Sequence, residues 1–236
     1  MKDNRRLQNV RLVTYLIATG TAAWVVAVAA PAPAGARVVD TGCARPYAYA
    51  GKAGGLAASG VVATITALGP PSVPGGHIAA WVGVGGRGLG PRRTDTWIQV
   101  GLSGRPGGIR HVYYELALPG RAPAYVVVEP NVADGASHRV AVVAERRERW
   151  SVWVDGRRRA GPFRLQGSAA WRPVATAETW DGGSTGCNRF RYRFADVATR
   201  SATGRWAPLV TGAAIVSRGY AIDRRRAASF VASATF

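Results

Sequence analysis

The sequence predicts an all-β protein, an antiparallel β-sandwich or jelly roll, on three observations. From His77 onward, short runs of strand type recur at regular spacing. Turn signals separate these runs, and no long helical period appears after residue 36. Composition agrees: Gly 30 and Pro 14 suit short strands joined by tight turns, and a hydrophobic fraction of 47% is ample for a packed core. A chain of 236 residues accommodates one large sandwich, and neither an internal repeat nor a second domain is visible.

The chain opens on a basic stretch carrying Lys2, Arg5, Arg6 and Arg11. Leu12 to Ala30 then run without a charge into Pro31-Ala32-Pro33-Ala34-Gly35-Ala36. A basic region, an apolar region and a small-residue stretch are the parts of a secretory signal, so residues 1–36 are expected to direct export. Cleavage is expected after Ala34 or Ala36, with an uncleaved signal-anchor as the alternative. Either way the remainder lies outside, secreted or anchored facing outside, and the membrane is met only through this segment.

Residues 37–76 are rich in Ala, Gly and Pro and read as a loose lead-in with one strand, Val61–Leu68. The sandwich itself is assigned to 77–236, with strands at Ile78–Val84, Thr96–Leu102, Ile109–Leu118, Ala124–Glu129, His138–Glu145, Trp150–Asp155, Gly161–Leu165, Trp171–Ala177, Phe190–Val197 and Ser229–Phe236. Period two is plain in Arg139-Val140-Ala141-Val142-Val143 and in Phe190-Arg191-Tyr192-Arg193-Phe194. Leu118-Pro119-Gly120, Asp134-Gly135, Asp155-Gly156 and Asp181-Gly182-Gly183 supply turns. His138–Glu145 and Trp150–Asp155 form a hairpin with a charged tip at Arg146–Arg149.

The net charge is +18, and 29 of the 31 basic residues are Arg, Lys2 and Lys52 being the exceptions. That skew reads first as the codon bias of a GC-rich bacterial genome. Residues 1–36 hold four basic groups and one acid, so +15 stays with the rest of the chain. Such a charge opens nucleic acid, an anionic cell envelope or an acidic substrate as partners. The export signal argues against nucleic acid. The arginine clusters Arg157–Arg159 and Arg224–Arg226 sit beside turns or in a loop and read as a solvated basic edge. Two cysteines, Cys43 and Cys187, form one disulfide or remain two reduced thiols.

Gly83-Val84-Gly85-Gly86-Arg87-Gly88 fits G-x-G-x-x-G, but Gly90-Pro91 follows instead of a helix, so no dinucleotide is expected. His77, His111 and His138 have no Cys or carboxylate at ligand spacing, and no metal or other cofactor is expected. No G-x-S-x-G elbow places a nucleophilic serine.

What remains is a set of aromatics, amides and acids on strands: Trp81, Gln99, Tyr113, Glu115 and Glu178. Trp81-Val82-Gly83-Val84-Gly85, Trp97-Ile98-Gln99-Val100-Gly101 and Tyr113-Tyr114-Glu115 resemble, in order and spacing, the opening of the glutamic peptidases, the eqolisin family. Val126-Val127-Val128-Glu129-Pro130, the Asp134-Gly135 turn, Trp153-Val154-Asp155-Gly156 and Phe194-Ala195-Asp196-Val197 continue the resemblance over about residues 70–200. It implies a concanavalin-A-like sandwich with one sheet curved around a substrate cleft. It further implies that a Gln and a Glu hold the attacking water. The Glu serves as general base and later as acid, and the Gln amide stabilises the oxyanion.

Gln99 falls on the family's glutamine. The family's glutamate directly precedes a Trp, whereas Ala170 precedes Trp171 here. The alternative alignment uses Glu178, with Thr179 at the Trp position and Trp180 one place late. A one-residue shift turns a strand side chain to the other face. Gly85 and Ser103 stand at positions that are acidic in the family's cleft. The resemblance therefore implies an endopeptidase acting on a polypeptide through Gln99 and Glu178, with Trp81, Tyr113 and Glu115 lining the cleft; the leader makes it an exported one, and a monomer is expected. The alternative is an inactive sandwich binding a glycan, a peptide or an anionic envelope polymer.

Overall fold

The structure, a computed structural model, describes Cys43 and residues 46–146, 148–166 and 171–236. The expected export segment 1–36, Ala170 and part of the Arg146–Arg149 tip lie outside the described residues. Among the described residues no helix is long and apolar enough to cross a membrane.

Fifteen strands among the described residues form two antiparallel sheets. The first sheet joins, from edge to edge, β13 (Gly212–Val216), β1 (Tyr47–Gly54), β10 (Pro173–Trp180), β3 (His77–Gly86), β4 (Thr96–Gly104), β5 (Arg110–Ala117) and β6 (Ala124–Pro130). The second joins β14 (Tyr220–Arg226), β15 (Ser229–Ala234), β11 (Arg191–Arg200), β2 (Gly60–Ala67), β7 (Ser137–Arg146), β8 (Arg149–Val154) and β9 (Arg157–Arg164), with β12 (Trp206–Pro208) paired to β11.

Alternation decides which side chains enter the core. Ile78, Ala80, Val82 and Val84 of β3, and Ile98, Val100 and Leu102 of β4, are buried on the inner face. Val61, Ala63 and Ile65 of β2, Val140 and Val142 of β7, and Trp150 and Val152 of β8 meet them from the other sheet. A side-chain period of two then sends His77, Ala79, Trp81, Gly83, Gln99, Gly101 and Ser103 to the opposite, outer face. At about 25 cal/mol per Å² of apolar surface, this two-sided burial is the dominant favourable term.

Three expectations change. The sandwich does not begin at residue 77: β1 and β2 both lie within 37–76, and β1 is an inner strand between β10 and β13. Its alternation in Tyr47-Ala48-Tyr49-Ala50 is inconspicuous because the inward residues are alanines, both fully buried. The arginine clusters form the solvated basic edge expected of them, but within strands and not a loop. Arg157–Arg159 lie in β9 and Arg224–Arg226 in β14, the two edge strands of the second sheet. Charged edges resist pairing with further strands, which is the physical use of arginine there. The strand placed at Trp171–Ala177 begins at Pro173 and runs to Trp180, so Glu178 is a strand residue.

Cys43 and Cys187 are joined in a disulfide, Cα–Cα 6.1 Å. Next to it, Asn188 donates to the Thr179 hydroxyl at 2.8 Å and to the Trp180 carbonyl at 2.9 Å. These bonds tie the loop before β11 to the end of β10.

Candidate active site

The site is built on the outer face of the first sheet, where β1, β10, β3, β4 and β5 lie side by side. Register brings the residues to one face. Glu178 of β10 is opposite Tyr49 of β1 and Ala79 of β3. Ala79 in turn is opposite Ser103 of β4. Gln99 is opposite Gly83 on one side and Glu115 of β5 on the other. The one-residue shift that Thr179 and Trp180 introduce against the family motif therefore leaves Glu178 on the same face as Gln99, not turned to the core.

Two depressions on this face share their walls. One is lined by Tyr47, Tyr49, Trp81, Arg87 and Trp97, the other by Ala79, Ser103, Arg105, Tyr113 and Tyr125. His77, Gln99, Glu115 and Glu178 line both. Gly83 stands between the strands of Glu178 and Gln99 without a side chain. A Cβ there would lie 2.8 Å from the Gln99 Cβ and 2.7 Å from the Ile98 carbonyl oxygen, so any larger residue displaces the glutamine.

Each polar side chain is held by a neighbour. Trp81 Nε1–H donates to Glu178 Oε2 at 3.1 Å, and His77 Nε2 lies 3.4 Å from Glu178 Oε1. Gln99, only 7% exposed, donates from Nε2 to the Tyr113 hydroxyl at 3.1 Å. Tyr113 stacks on Tyr125 with ring centroids 4.8 Å apart, and the Tyr125 hydroxyl meets Ser103 Oγ at 2.6 Å. Trp97 Nε1–H donates to Glu115 Oε1 at 2.8 Å.

The electrostatics follow from burial among carboxylates. Burial raises the pKa of Glu115, against the opposing hydrogen bond from Trp97, and the Glu178 charge raises it further. Tyr113 is shifted well above its ordinary value by burial and by the Glu178 and Glu115 charges. Tyr49 rises for the same first reason and by the Glu178 charge. The tyrosines are thus neutral hydroxyls, able to donate as well as accept.

The five sequence-derived residues meet on one face, with two changes of part. Tyr113 is 1% exposed and supports Gln99 more than it offers open surface. Trp81 touches Glu178 directly. Sequence reasoning left out Tyr47, Tyr49 and Arg87, and treated His77 only as a lone histidine. Tyr47 and Tyr49 were legible as period two within the lead-in. His77 was not, since its neighbour Glu178 is 101 residues away. Among the described residues no group of three or more His, Cys, Asp or Glu is arranged to hold a metal ion.

No protein-family model matches the sequence, and no curated protein matches it. Solved structures do. Two crystal structures of scytalido-glutamic peptidase, one with a peptide-based transition-state analog and one with a transition-state analog inhibitor, each match with a TM-score of 0.56 and 16% identity. They cover 79% and 80% of this chain and 98% of theirs. SCP-B, a member of the eqolisin family of peptidases in complex with the tripeptide Ala-Ile-His, matches with a TM-score of 0.52, 16% identity, 80% of this chain and 98% of that one. This chain has the fold of the glutamic peptidases.

Proposed function

We propose that this chain is an exported endopeptidase of the glutamic type, with Glu178 and Gln99 as its catalytic pair. The observation that carries the reading is that both side chains line the same two depressions on one sheet face, each fixed by an aromatic neighbour. Glu178, as carboxylate, takes a proton from a water while the water oxygen bonds to the scissile carbonyl carbon. The second N–H of the Gln99 amide donates to the oxyanion as it forms. The C–N bond then breaks, and the proton held on Glu178 passes to the leaving amine. Trp81 keeps the Glu178 carboxylate aimed, and Tyr113 keeps the Gln99 amide aimed.

The relatives sharing the fold hold a peptide-based transition-state analog and a tripeptide, which supports an extended polypeptide as the substrate here. The disulfide supports an oxidising compartment, in line with the basic and apolar leader.

The test is proteolysis of a denatured protein at acid pH by the purified chain, beside Glu178→Gln and Gln99→Ala. Glu178→Gln is expected to abolish turnover, and Gln99→Ala to lower kcat by about 10²–10³-fold, the usual cost of one oxyanion donor. Activity surviving both substitutions removes the pair. A folded chain with no activity at any pH supports the second reading, a binding sandwich, which draws on Gly85 and Ser103 standing at the family's acidic positions. Ser103 here is engaged by Tyr125.

A further inference from the structure

The second sheet also turns an outer face to solvent, away from the core and from Gln99 and Glu178. Two depressions lie on it. One is walled by Arg191 and Arg193 of β11 and Arg226 of β14, with Leu68, Val231 and a single acid, Asp196. The other is walled by Arg139, Val62 and Val143 with two tryptophans, Trp153 and Trp206. They belong to one surface: Ala195 of the first is opposite Thr64 of β2, which is opposite Arg139 of the second. Two strand spacings, about 10 Å, separate those rungs.

The four arginines are all exposed, and the acids near them are Asp196, Asp223 (opposite Val231, which is opposite Arg193) and Asp155, which accepts from the Arg139 backbone N–H, so arginine outnumbers acid on this face. Arg110, Arg158 and Arg164, which form ion pairs, are not among the four. Arg193 donates to the Thr66 hydroxyl at 3.4 Å, a neutral acceptor. Beside them Trp206 is 45% exposed. An array of forked guanidinium groups matches carboxylates in pairs of parallel hydrogen bonds. An exposed indole at the end of that array offers a flat apolar surface to the C–H face of a sugar ring. A disulfide is the mark of oxidising compartments, and a carboxylate carried on a sugar ring fits a guanidinium fork and a neighbouring indole together.

We infer that the outer face of the second sheet binds an acidic polysaccharide, its uronate carboxylates on Arg139, Arg191, Arg193 and Arg226 and a sugar ring on Trp206. This surface is separate from the candidate active site and holds the chain on an anionic envelope whatever the other face does.

Binding of polygalacturonate to the full chain, followed by calorimetry and tryptophan fluorescence, tests it. Saturable binding that weakens steeply with added salt is expected, with none to uncharged dextran. Arg191→Ala/Arg193→Ala/Arg226→Ala together are expected to lower affinity at least tenfold. The matching triple Lys variant keeps the charge but not the fork and is expected to fall between. Trp206→Ala is expected to remove most of the fluorescence change, and Gln99→Ala/Glu178→Gln to bind as wild type. No binding of polygalacturonate, or equal binding by wild type and both arginine variants, overturns the inference. So does tighter binding of single-stranded DNA or of anionic phospholipid vesicles.

Discussion

Glu178 shows how much a single register decides. Its two carboxylate oxygens lie against Trp81 and His77, residues 97 and 101 positions away in the chain. Trp81→Phe keeps an aromatic ring and removes the N–H; kcat is expected to fall about 10- to 100-fold with KM little changed, since one hydrogen bond to a charged group is worth about 1.5–3 kcal/mol. Steady-state kinetics separate the two constants, and an unchanged kcat denies Trp81 its part. Glu115 gives a pH prediction. Because burial raises its folded pKa above the unfolded value, its contribution to stability is complete below the ordinary carboxyl range and is lost as pH rises through the raised value. Glu115→Gln, which still accepts from Trp97, is expected to flatten the decline of Tm between acid and neutral pH, as measured by thermal melts across that interval. Gln99 was legible as a strand residue in a recognisable motif. Glu178 fell one residue past the expected strand, and its face could not be known, because parity along β10 has meaning only against Ala79 and Tyr49 opposite it.

Among the elements, β1 has the clearest consequence. It contributes Tyr47 and Tyr49 to the candidate site and two alanines to the core, and it separates β10 from β13. A chain starting at His77, the boundary that composition suggests, exposes the flank of β10 and lacks β2 from the middle of the other sheet. Such a chain is expected to give no cooperative unfolding transition, whereas one starting before Cys43 does; circular dichroism with urea distinguishes them. Gly101 of β4 is the second case. It lies opposite Trp81 and Tyr113, and a Cβ would collide with the Ala80 carbonyl oxygen and the Trp81 backbone. Gly101→Ala is expected to cost about 1–3 kcal/mol in urea denaturation, the usual range for overpacking. The central strands were readable because their inward residues are large and β-branched. Of those built on alanine or arginine, β1 and β14 were missed and β9 was read only from Gly161, because small core residues and solvated edges carry little hydropathy contrast.

Across the whole molecule, the Cys43–Cys187 disulfide spans 144 residues of sequence and closes a loop that holds β1 to β10, with β11 to β15 beyond it. Cys43→Ser/Cys187→Ser is expected to lower stability by about 2–5 kcal/mol, mainly by freeing the unfolded chain, and denaturant unfolding of the oxidised and variant proteins measures it. The two outer faces differ in chemistry: one gathers Glu115 and Glu178 among aromatics, the other gathers arginines beside Trp206. By itself the sequence determined the all-β class, most strand positions and the glutamic-peptidase resemblance, because periodicity and turn residues are local properties of the chain. Only the tertiary structure decided that Glu178 shares a face with Gln99, that Tyr47 and Tyr49 join them, and that Arg139, Arg191, Arg193 and Arg226 form one surface. Those facts rest on pairing between strands distant in sequence, and the face that a side chain takes in a sheet is defined only once its partner strand is in register.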